Sequence, residues 1–262
     1  MRNFILIFLI SFTYNLFGAS LSVTDGGEGL LIRIVNEKKS IWIDTGSLNK
    51  IRQNLNKTKK NNEPLPSDIF LTHLHPDHAS GIFELVEKNP EVIIYDNCMP
   101  NIDVKDGELI RWTDKFISSH KKRICVNSKS KFYFKDMSID ILWPTGIFES
   151  KNHNLYSLVL KVSKNNKSVL IMGDVPKSVE KKIIKNLSFK LSDIDVLVVG
   201  HHGSDSASSE DFLKLISPKI AVVSVDKQNV RGYPSKKALE RINRNSDQLW
   251  ITGRDGDFKF YF

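Results

Sequence analysis

The stretch IFLTHLHPDHASG at residues 69–81 decides the fold of this chain. It opens with three apolar residues that are typical of the end of a buried β-strand, and the histidines follow at once. In an extended segment His73 and His75 point the same way, so both imidazoles can reach one metal ion. As the chain turns into the next helical stretch, Asp77 and His78 can face a second ion about 3.5–4 Å away. The motif therefore predicts a centre for two divalent ions, zinc or manganese.

Residues from later segments are expected to complete this centre. Asp174 and His201 each follow a strand-like apolar run, where a carboxylate can bridge two ions and an imidazole can close the second site. Asp44 also ends a strand-like run, and it is expected to support the ligand loop as a hydrogen-bond acceptor. Taken alone, a Gly-Asp pair is usually a turn and a His-His pair is usually a surface feature. Their order after the first motif favours the metal interpretation.

Length and composition indicate one domain of the α/β class with a full core, since 262 residues are enough to bury one. Helical stretches separate many strand-like runs, so we expect two sheets covered by helices, with hairpins at residues 164–167 and 254–256. The net charge of +8 and the pI near 9.3 favour acidic partners such as nucleic acid, anionic lipid or phosphate esters. Many of the lysines lie in helix-like stretches, where a solvated helix face is the simpler interpretation. The predicted strands are 30–35, 40–44, 68–72, 91–95, 138–142, 157–162, 168–172, 195–199, 220–225, 248–252 and 257–261.

The first twenty residues have the features of a signal peptide. Arg2 precedes an apolar core at residues 4–12, which is too short to span a bilayer, and small residues follow. We therefore expect residues 1–20 to direct export and residues 21–262 to form the exported domain, although an uncleaved anchor stays open. The two cysteines, Cys98 and Cys125, can form one disulfide or remain two buried thiols.

The ordered combination of motifs resembles the hydrolase domain of the ComEC competence proteins. This resemblance covers nearly everything after residue 20 and implies a single-domain αββα metallo-β-lactamase sandwich with two metals between its sheets. It also implies phosphodiester hydrolysis on DNA. The channel region of those proteins has no counterpart here, so a stand-alone exported relative is expected. The segments that carry the resemblance are SVTDGGEG (22–29), IWIDTG (41–46), THLHPDHASG (72–81), NLYSLVL (154–160), MGD (172–174) and GHHGS (200–204).

Three departures from the family pattern bear on the site. ComEC-like domains carry an asparagine where many relatives have a third histidine, and Asn154 matches it as a metal ligand. His153 is adjacent, and because neighbours in a strand point apart, we expect Asn154 inward and His153 outward. Leu30 stands where an acidic residue is usual. The family's late histidine before proline is Tyr233, which can donate a proton or hydrogen bond, but not with the pKa of histidine.

The expected chemistry is hydrolysis by a metal-activated water. Asp77 would orient the attacking hydroxide, and Tyr233 and His202 are the candidates to assist. Nucleic acid or another phosphodiester is the expected substrate, no transmembrane domain is expected in the mature chain, and no protein partner is implied. Two alternatives stay open. One is an exported hydrolase of small molecules such as a phosphorylcholine ester, a lactone or a β-lactam, and the other is a metal-binding module without turnover.

Overall fold

Strands from both halves of the chain form two sheets in the computed structural model, which describes residues 18–98, 107–146 and 150–262. Within these ranges each sheet has seven strands, in the orders β14-β1-β2-β3-β4-β5-β6 and β13-β12-β11-β10-β9-β8-β7. The strands are β1 (Ser20–Val23), β2 (Ile32–Asn36), β3 (Lys39–Ile43), β4 (Asp68–Phe70), β5 (Ile93–Asp96), β6 (Arg123–Cys125), β7 (Lys131–Phe134), β8 (Met137–Trp143), β9 (Val159–Lys164), β10 (Lys167–Ile171), β11 (Val196–Val198), β12 (Ile220–Val223), β13 (Gln248–Ile251) and β14 (Phe258–Tyr261).

The helices cover the outer faces of the two sheets. They are α1 (Leu48–Lys60), α2 (Pro76–Ala79), α3 (Ile82–Lys88), α4 (Glu108–Ser119), α5 (Lys177–Leu187), α6 (Glu210–Ile216), α7 (Lys236–Asn245) and α8 (Thr252–Asp255). Apolar residues of α1, α3 and α4 pack on the first sheet, and those of α5, α6 and α7 pack on the second. A third cluster lies between the sheets and includes Ile34 and Phe70 from the first and Ile139 and Val198 from the second. The predicted αββα sandwich is confirmed.

Burial explains which runs became strands. In the second sheet β10, β11, β12 and β13 are parallel, and β11 is buried along its whole length, as is usual where helices and a second sheet cover both faces. Strand β8 alternates buried and half-buried residues over most of its length, because it lies in the antiparallel part. The short strands β1, β6 and β7 were not predicted.

Two expectations about connections are resolved. The hairpin predicted at residues 164–167 joins β9 and β10, which are antiparallel. The hairpin predicted at residues 254–256 is wrong, because these residues link β13 in the second sheet to β14 in the first, and α8 precedes the turn. Turn residues identify a change of direction, but they do not say which sheet the next strand joins.

The two ends of the predicted export segment differ in what the structure describes. Residues 1–17 lie outside the described ranges, and Ser20 is already part of β1, where it pairs with Val35 and Tyr261.

Cys98 and Cys125 form a disulfide, which settles the alternative left open by the sequence. Among the described residues, no helix combines the length and the apolar character needed to cross a membrane.

The sheets meet at one edge, where several parallel strands end. The backbone N–H of Leu158 before β9 donates to the carbonyl of Thr72 after β4 over 2.8 Å, which ties the two sheets together there. Loops that follow β3, β4, β10 and β11 therefore converge on this edge. In open α/β sheets, the carboxyl ends of strands are the usual position of a site.

Candidate metal centre

The ligand loop after β4 is held by a buried carboxylate. Asp44 follows β3 with a φ of 58°, and its two oxygens accept hydrogen bonds from the backbone N–H (2.7 Å) and hydroxyl (2.8 Å) of Thr72. The same carboxylate lies 2.7 Å from Nδ1 of His78, which therefore donates to it and turns Nε2 toward the gap between the sheets. Asp44 is thus placed as the predicted supporting acceptor.

Ligand-type side chains gather in two adjacent groups. Within each group, the candidate ligand atoms lie within 4.8 Å of one another. Asp174 links the groups, because its Oδ2 is 3.8 Å from Nε2 of His73 while its Oδ1 is 3.3 Å from Nε2 of His78. The first group is His73, His75 and Asp174, and the second is Asp77, His78 and His202.

Two loops of the second sheet position Asp174 and His202. The backbone N–H of Asp174 donates to Oγ of Ser157 over 2.9 Å, and Gly173 before it has a φ of 50° and packs so tightly that a Cβ would lie 2.2 Å from that oxygen. Only glycine, which has no Cβ, can lie this close to Oγ of Ser157. Nδ1 of His202 donates to the carbonyl of Ser224 over 2.9 Å, which leaves the lone pair on Nε2 for another partner.

The charges within the centre are coupled. Burial would lower the pKa of His78, but Asp174 and Asp44 raise it well above its usual value. Burial would likewise raise the pKa of Asp174, but His78 and His202 hold it well below its usual value. Burial, together with His78, lowers the pKa of His73 well below its usual value. A neutral imidazole and an ionised carboxylate are the forms that bind metal.

The side chains fit a pair of divalent ions. Nε2 of His73 is buried and makes no hydrogen bond within the described part of the chain, although it points toward Asp174. Nε2 of His78 and Nε2 of His202 lie only 3.1 Å apart. Two imidazole nitrogens this close, together with two carboxylates, form a donor set that suits a divalent ion such as zinc.

The adjacent histidines 201 and 202, predicted as a metal ligand and as a catalytic residue, differ in their burial and in their partners. His202 is 3% exposed and lies in the second ligand group, whereas His201 lies outside both groups. Nδ1 of His201 is 3.0 Å from Oγ of Ser206, and its side chain is 24% exposed. Its Nε2 lies 3.8 Å from Oδ2 of Asp174, the same distance as Nε2 of His73. Both residues have left-handed backbone angles (φ 51° and 54°), so the chain turns sharply here and strand alternation cannot predict which ring points inward.

The structure corrects the expected direction of His153, whereas the inward direction of Asn154 stays a prediction. His153 was expected to face outward, but it is 4% exposed and its ring stacks on His75 with 5.6 Å between centroids. Asn154 is half-buried, and its side-chain Oδ1 is buried and accepts no hydrogen bond within the described part of the chain. The alternation rule fails because residues 153–156 form a 3₁₀ turn and β9 begins only at Val159.

An arginine that the sequence analysis missed lies at the mouth of the centre. Nη1 of Arg231 is 2.6 Å from Oδ2 of Asp77, and its Nε is 2.7 Å from Oε2 of Glu28. Desolvation would lower the pKa of Arg231, but Asp77 raises it further above its usual value. An arginine two positions before Tyr233 was the only signal, and an arginine in a loop is usually a solvated surface residue.

Tyr233 and Gly29 complete this region. The ring of Tyr233 lies 6.1 Å from that of His201 and 6.4 Å from that of His202, measured between centroids. At Gly29 a Cβ would lie 1.6 Å from the carbonyl oxygen of Asp77, so only glycine lets residues 25–30 pack on the ligand loop. A cavity of about 650 Å³, here named the entrance cavity, opens beside Asp77; its lining includes Glu28, Leu109, Val230 and Arg231.

Comparisons with known proteins agree with this geometry. The family model of the metallo-β-lactamase superfamily matches residues 25–97. Recombination protein 2 of Haemophilus influenzae is 27% identical over 271 residues, which are 98% of this chain and 31% of that protein. ComE operon protein 3 of Bacillus subtilis is 30% identical over 199 residues, 74% of this chain and 24% of the relative. Competence protein ComA of Neisseria gonorrhoeae is 25% identical over 245 residues, 92% of this chain and 32% of the relative.

Solved structures show the same fold at low identity. YhfI from Bacillus subtilis, a metallo-β-lactamase fold protein, superposes with a TM-score of 0.60 at 12% identity and covers 94% of this chain and 100% of its own. Igni18 from Ignicoccus hospitalis, a metallo hydrolase, has a TM-score of 0.54 at 12% identity and covers 93% and 99%.

The family-model match, the two-sheet sandwich and the candidate ligand groups support a metal-dependent hydrolase of the metallo-β-lactamase superfamily. The resemblance of this chain to the ComEC-like competence proteins is confirmed by the relatives above, of whose length it spans less than a third.

Proposed function

We propose that this chain is a phosphodiesterase that prefers nucleic acid to small esters. One observation carries the proposal: the two ligand groups meet at Asp174, and a guanidinium, that of Arg231, lies directly against them at Asp77. Phosphate esters carry negative charge, and arginine is the side chain best shaped to bind phosphate oxygens in pairs. A site for an uncharged lactone would gain nothing from this cation.

The proposed ligands are His73, His75 and Asp174 for one ion and Asp77, His78 and His202 for the other. When bound, divalent ions supply Lewis acidity and lower the pKa of water toward neutrality. Asp77 can accept a hydrogen bond from the attacking water and so orient it. Arg231 can turn from Asp77 to the phosphate, because Glu28 holds its Nε from the other side.

Two residues are candidates to protonate the leaving oxygen. His201 lies outside both ligand groups and is partly exposed, which leaves it available for proton transfer. Tyr233 lies beside it and offers a phenolic hydroxyl. Histidine has the more suitable pKa for this step near pH 7, so we assign His201 the main role and Tyr233 a hydrogen bond to the leaving group.

The metals are proposed to be zinc or manganese. Four imidazoles favour zinc, whereas the two carboxylates and an oxygen-rich phosphate substrate also suit manganese. Elemental analysis of protein purified without chelators, followed by reconstitution with each metal, measures both identity and stoichiometry. We expect close to two ions per chain, and a stoichiometry near zero after reconstitution would contradict the proposal.

Export is proposed for the same chain. Residues 1–20 have the composition of a signal peptide, and the Cys98–Cys125 disulfide supports an oxidising compartment, since cytosolic thiols are kept reduced. N-terminal sequencing of protein from an exporting host tests this. A start near Ser20 is expected, and Met1 on cytoplasmic material would contradict it.

The activity is tested by comparing two substrates. Cleavage of single- and double-stranded DNA is measured beside hydrolysis of bis(p-nitrophenyl) phosphate across a salt series, with Asp77→Asn as the inactive control. We expect DNA cleavage that weakens with salt, because contacts to backbone phosphates release counterions. An enzyme that hydrolyses the small ester and leaves DNA intact would overturn the nucleic-acid preference, as would DNA cleavage at the wild-type rate in Asp77→Asn. Turnover of a lactone or β-lactam alone would favour the small-molecule alternative.

A further inference from the structure

Helix α4 presents an exposed aromatic side chain beside the entrance cavity. Leu109, in its first turn, lines that cavity together with Asp77. Trp112 is 63% exposed, whereas Ile110, Thr113 and Ile117 on the other face of the helix are buried. The core therefore uses one face of α4, and Trp112 contributes little to it.

Trp112 lies one helical turn beyond the edge of the entrance cavity. Residues three apart on a helix are neighbours on its surface and are separated by about 4.5 Å along the axis. Trp112 thus continues the surface that Leu109 begins. Nζ of Lys115, three residues further on, lies 6.0 Å from the centroid of the indole. An aromatic face with a cation beside it therefore lies next to Leu109 on the surface of α4.

The other described tryptophans have structural explanations. Trp42 and Trp143 are buried in the clusters on the outer faces of the sheets, and Nε1 of Trp250 donates to the carbonyl of Gly256. Single exposed apolar residues are common on protein surfaces, but an exposed indole offers a large flat face that suits binding. The position of Trp112 beside a proposed active site indicates the kind of ligand.

We propose that Leu109, Trp112 and Lys115 form a stacking platform for the bases of single-stranded nucleic acid, and the proposal rests on the phosphodiesterase function. The strand would pass from the platform into the entrance cavity, so that a phosphate reaches Arg231 and the ligand groups. Every base has a π-face, so an indole binds unpaired bases with little regard to sequence, and lysine contacts the backbone phosphates. Bases stacked within a duplex are not free to do this.

Size and charge argue for nucleic acid over a docking protein. The exposed apolar residues at the cavity are Leu48, Leu109 and Val230, with Trp112 beside them. A stable protein interface buries about 800 Å² on each partner, far more than four side chains can supply. Three cations border the same surface, namely Lys50, Lys115 and Arg231. Lys50 and Arg231 pair with carboxylates of the cavity, so a phosphate backbone would have to compete with those carboxylates for them.

The test measures binding of two fluorescein-labelled strands to the metal-loaded protein. One is a single-stranded oligothymidylate, and the other is an abasic strand of the same length, which keeps the phosphates and lacks the bases. Phosphorothioate linkages in both strands slow their cleavage.

The variants are Trp112→Ala, Trp112→Phe and Tyr133→Ala. Tyr133 is a matched control, because it is 71% exposed and Nζ of Lys131 lies 5.4 Å from its ring, yet it belongs to β7. The carbonyl of the next residue, Phe134, accepts a hydrogen bond from Asn36, the last residue of β2, at the end of the sheets opposite the centre.

We expect Trp112→Ala to bind oligothymidylate about tenfold more weakly and to bind the abasic strand as the wild type does, since stacking on one aromatic residue has about this value. Trp112→Phe should recover most of the affinity, and Tyr133→Ala should bind both strands normally. Wild-type binding of oligothymidylate by Trp112→Ala would overturn the platform, and so would an equal loss on both strands. Hydrolysis of bis(p-nitrophenyl) phosphate separates the two proposals. If the wild type hydrolyses this ester and Trp112→Ala binds oligothymidylate as tightly as the wild type does, the platform alone is wrong. If no phosphodiester is cleaved while binding depends on Trp112, the phosphodiesterase function alone is wrong.

Discussion

The two sheets contribute to the metal centre in different ways. The first sheet supplies His73, His75, Asp77 and His78 from one loop after β4, and α2 begins within that loop. The second sheet supplies its two ligands from separate loops, after β10 and after β11. A single loop can be specified by a short motif, whereas separate loops reach one point only if the sheet places them there.

The supports of the two regions differ as well. Asp44 holds the first loop directly, through Thr72 and His78, and the N–H of Thr45 donates to the carbonyl of His78 over 2.7 Å. The loop after His202 is held at a distance by Glu180 of α5, whose carboxylate accepts the N–H groups of Ser208 and Ser209. We infer that the first region is less tolerant of change than the second.

The ligand that joins the two regions should have the largest effect. Asp174→Ala removes the carboxylate that both groups share, so we expect both ions to be lost and hydrolysis to fall by at least about 100-fold, beyond the loss from a supporting residue. Elemental analysis and initial rates measure this, with Asp247→Ala as the control on the exposed surface. Retention of two ions by Asp174→Ala would show that the groups are independent.

Asp44→Asn changes only the support of the first region. The amide keeps one acceptor for Thr72 but no longer offers a charged acceptor to Nδ1 of His78. Metal affinity should fall by about 10- to 100-fold, the usual effect of such a partner. Calorimetric titration of metal into chelated protein measures it, and Asp211→Asn on the surface of α6 serves as the control. An unchanged affinity would mean that the backbone alone orients the loop.

Arg231→Gln tests the contact between Asp77 and the loop that follows β12 of the second sheet. Hydrogen bonds to a charged group contribute about 1.5–3 kcal/mol, so KM for a phosphodiester should rise by about 10- to 150-fold. Metal content should be unchanged, because Arg231 is not a ligand. Steady-state kinetics beside Arg244→Gln, an exposed arginine of α7, measure this. A fall in metal content with KM unchanged would assign Arg231 to the support of Asp77.

The smallest effect is expected from Glu180→Gln, and it depends on pH. Burial raises the pKa of Glu180 above 4.5, although the hydrogen bonds from Ser209 and Ser208 oppose this shift. A carboxyl whose pKa is raised by folding contributes stability below its unfolded pKa, and that contribution is lost as the pH rises through the folded pKa. The free energy of unfolding of the wild type should therefore fall relative to that of Glu180→Gln as the pH rises from 4.5.

Urea unfolding of the chelated proteins at several pH values measures this difference. Glu240→Gln, at an exposed position of α7, is the control. Its free energy of unfolding should change with pH as that of the wild type does. A free energy of unfolding that rises with pH in the wild type relative to Glu180→Gln would contradict the raised pKa.

The comparison of the two regions also explains which predictions from sequence succeeded. The spacing of His73, His75, Asp77 and His78 is a local property, and the structure brings all four together with Asp174. Asp44 could be recognised as a supporting acceptor because a carboxylate at the end of β3 has to lie beside the end of β4 in a parallel pair. The expected outward direction of His153 was wrong, because a 3₁₀ turn replaced the assumed strand. The role of His201 as a metal ligand stays a prediction, since a left-handed turn decides its ring direction and its Nε2 lies 3.8 Å from Oδ2 of Asp174.

The sequence by itself determined the α/β class, the αββα layers and the loop that starts the metal centre, because hydrophobic periodicity and a six-residue motif act over short distances. Only the tertiary structure decided that His202 rather than His201 joins Asp77 and His78, and that Arg231 lies against Asp77 from 154 residues away. Such contacts depend on the packing of two sheets and on turns whose backbone angles are set by their surroundings. No local pattern in the sequence encodes them.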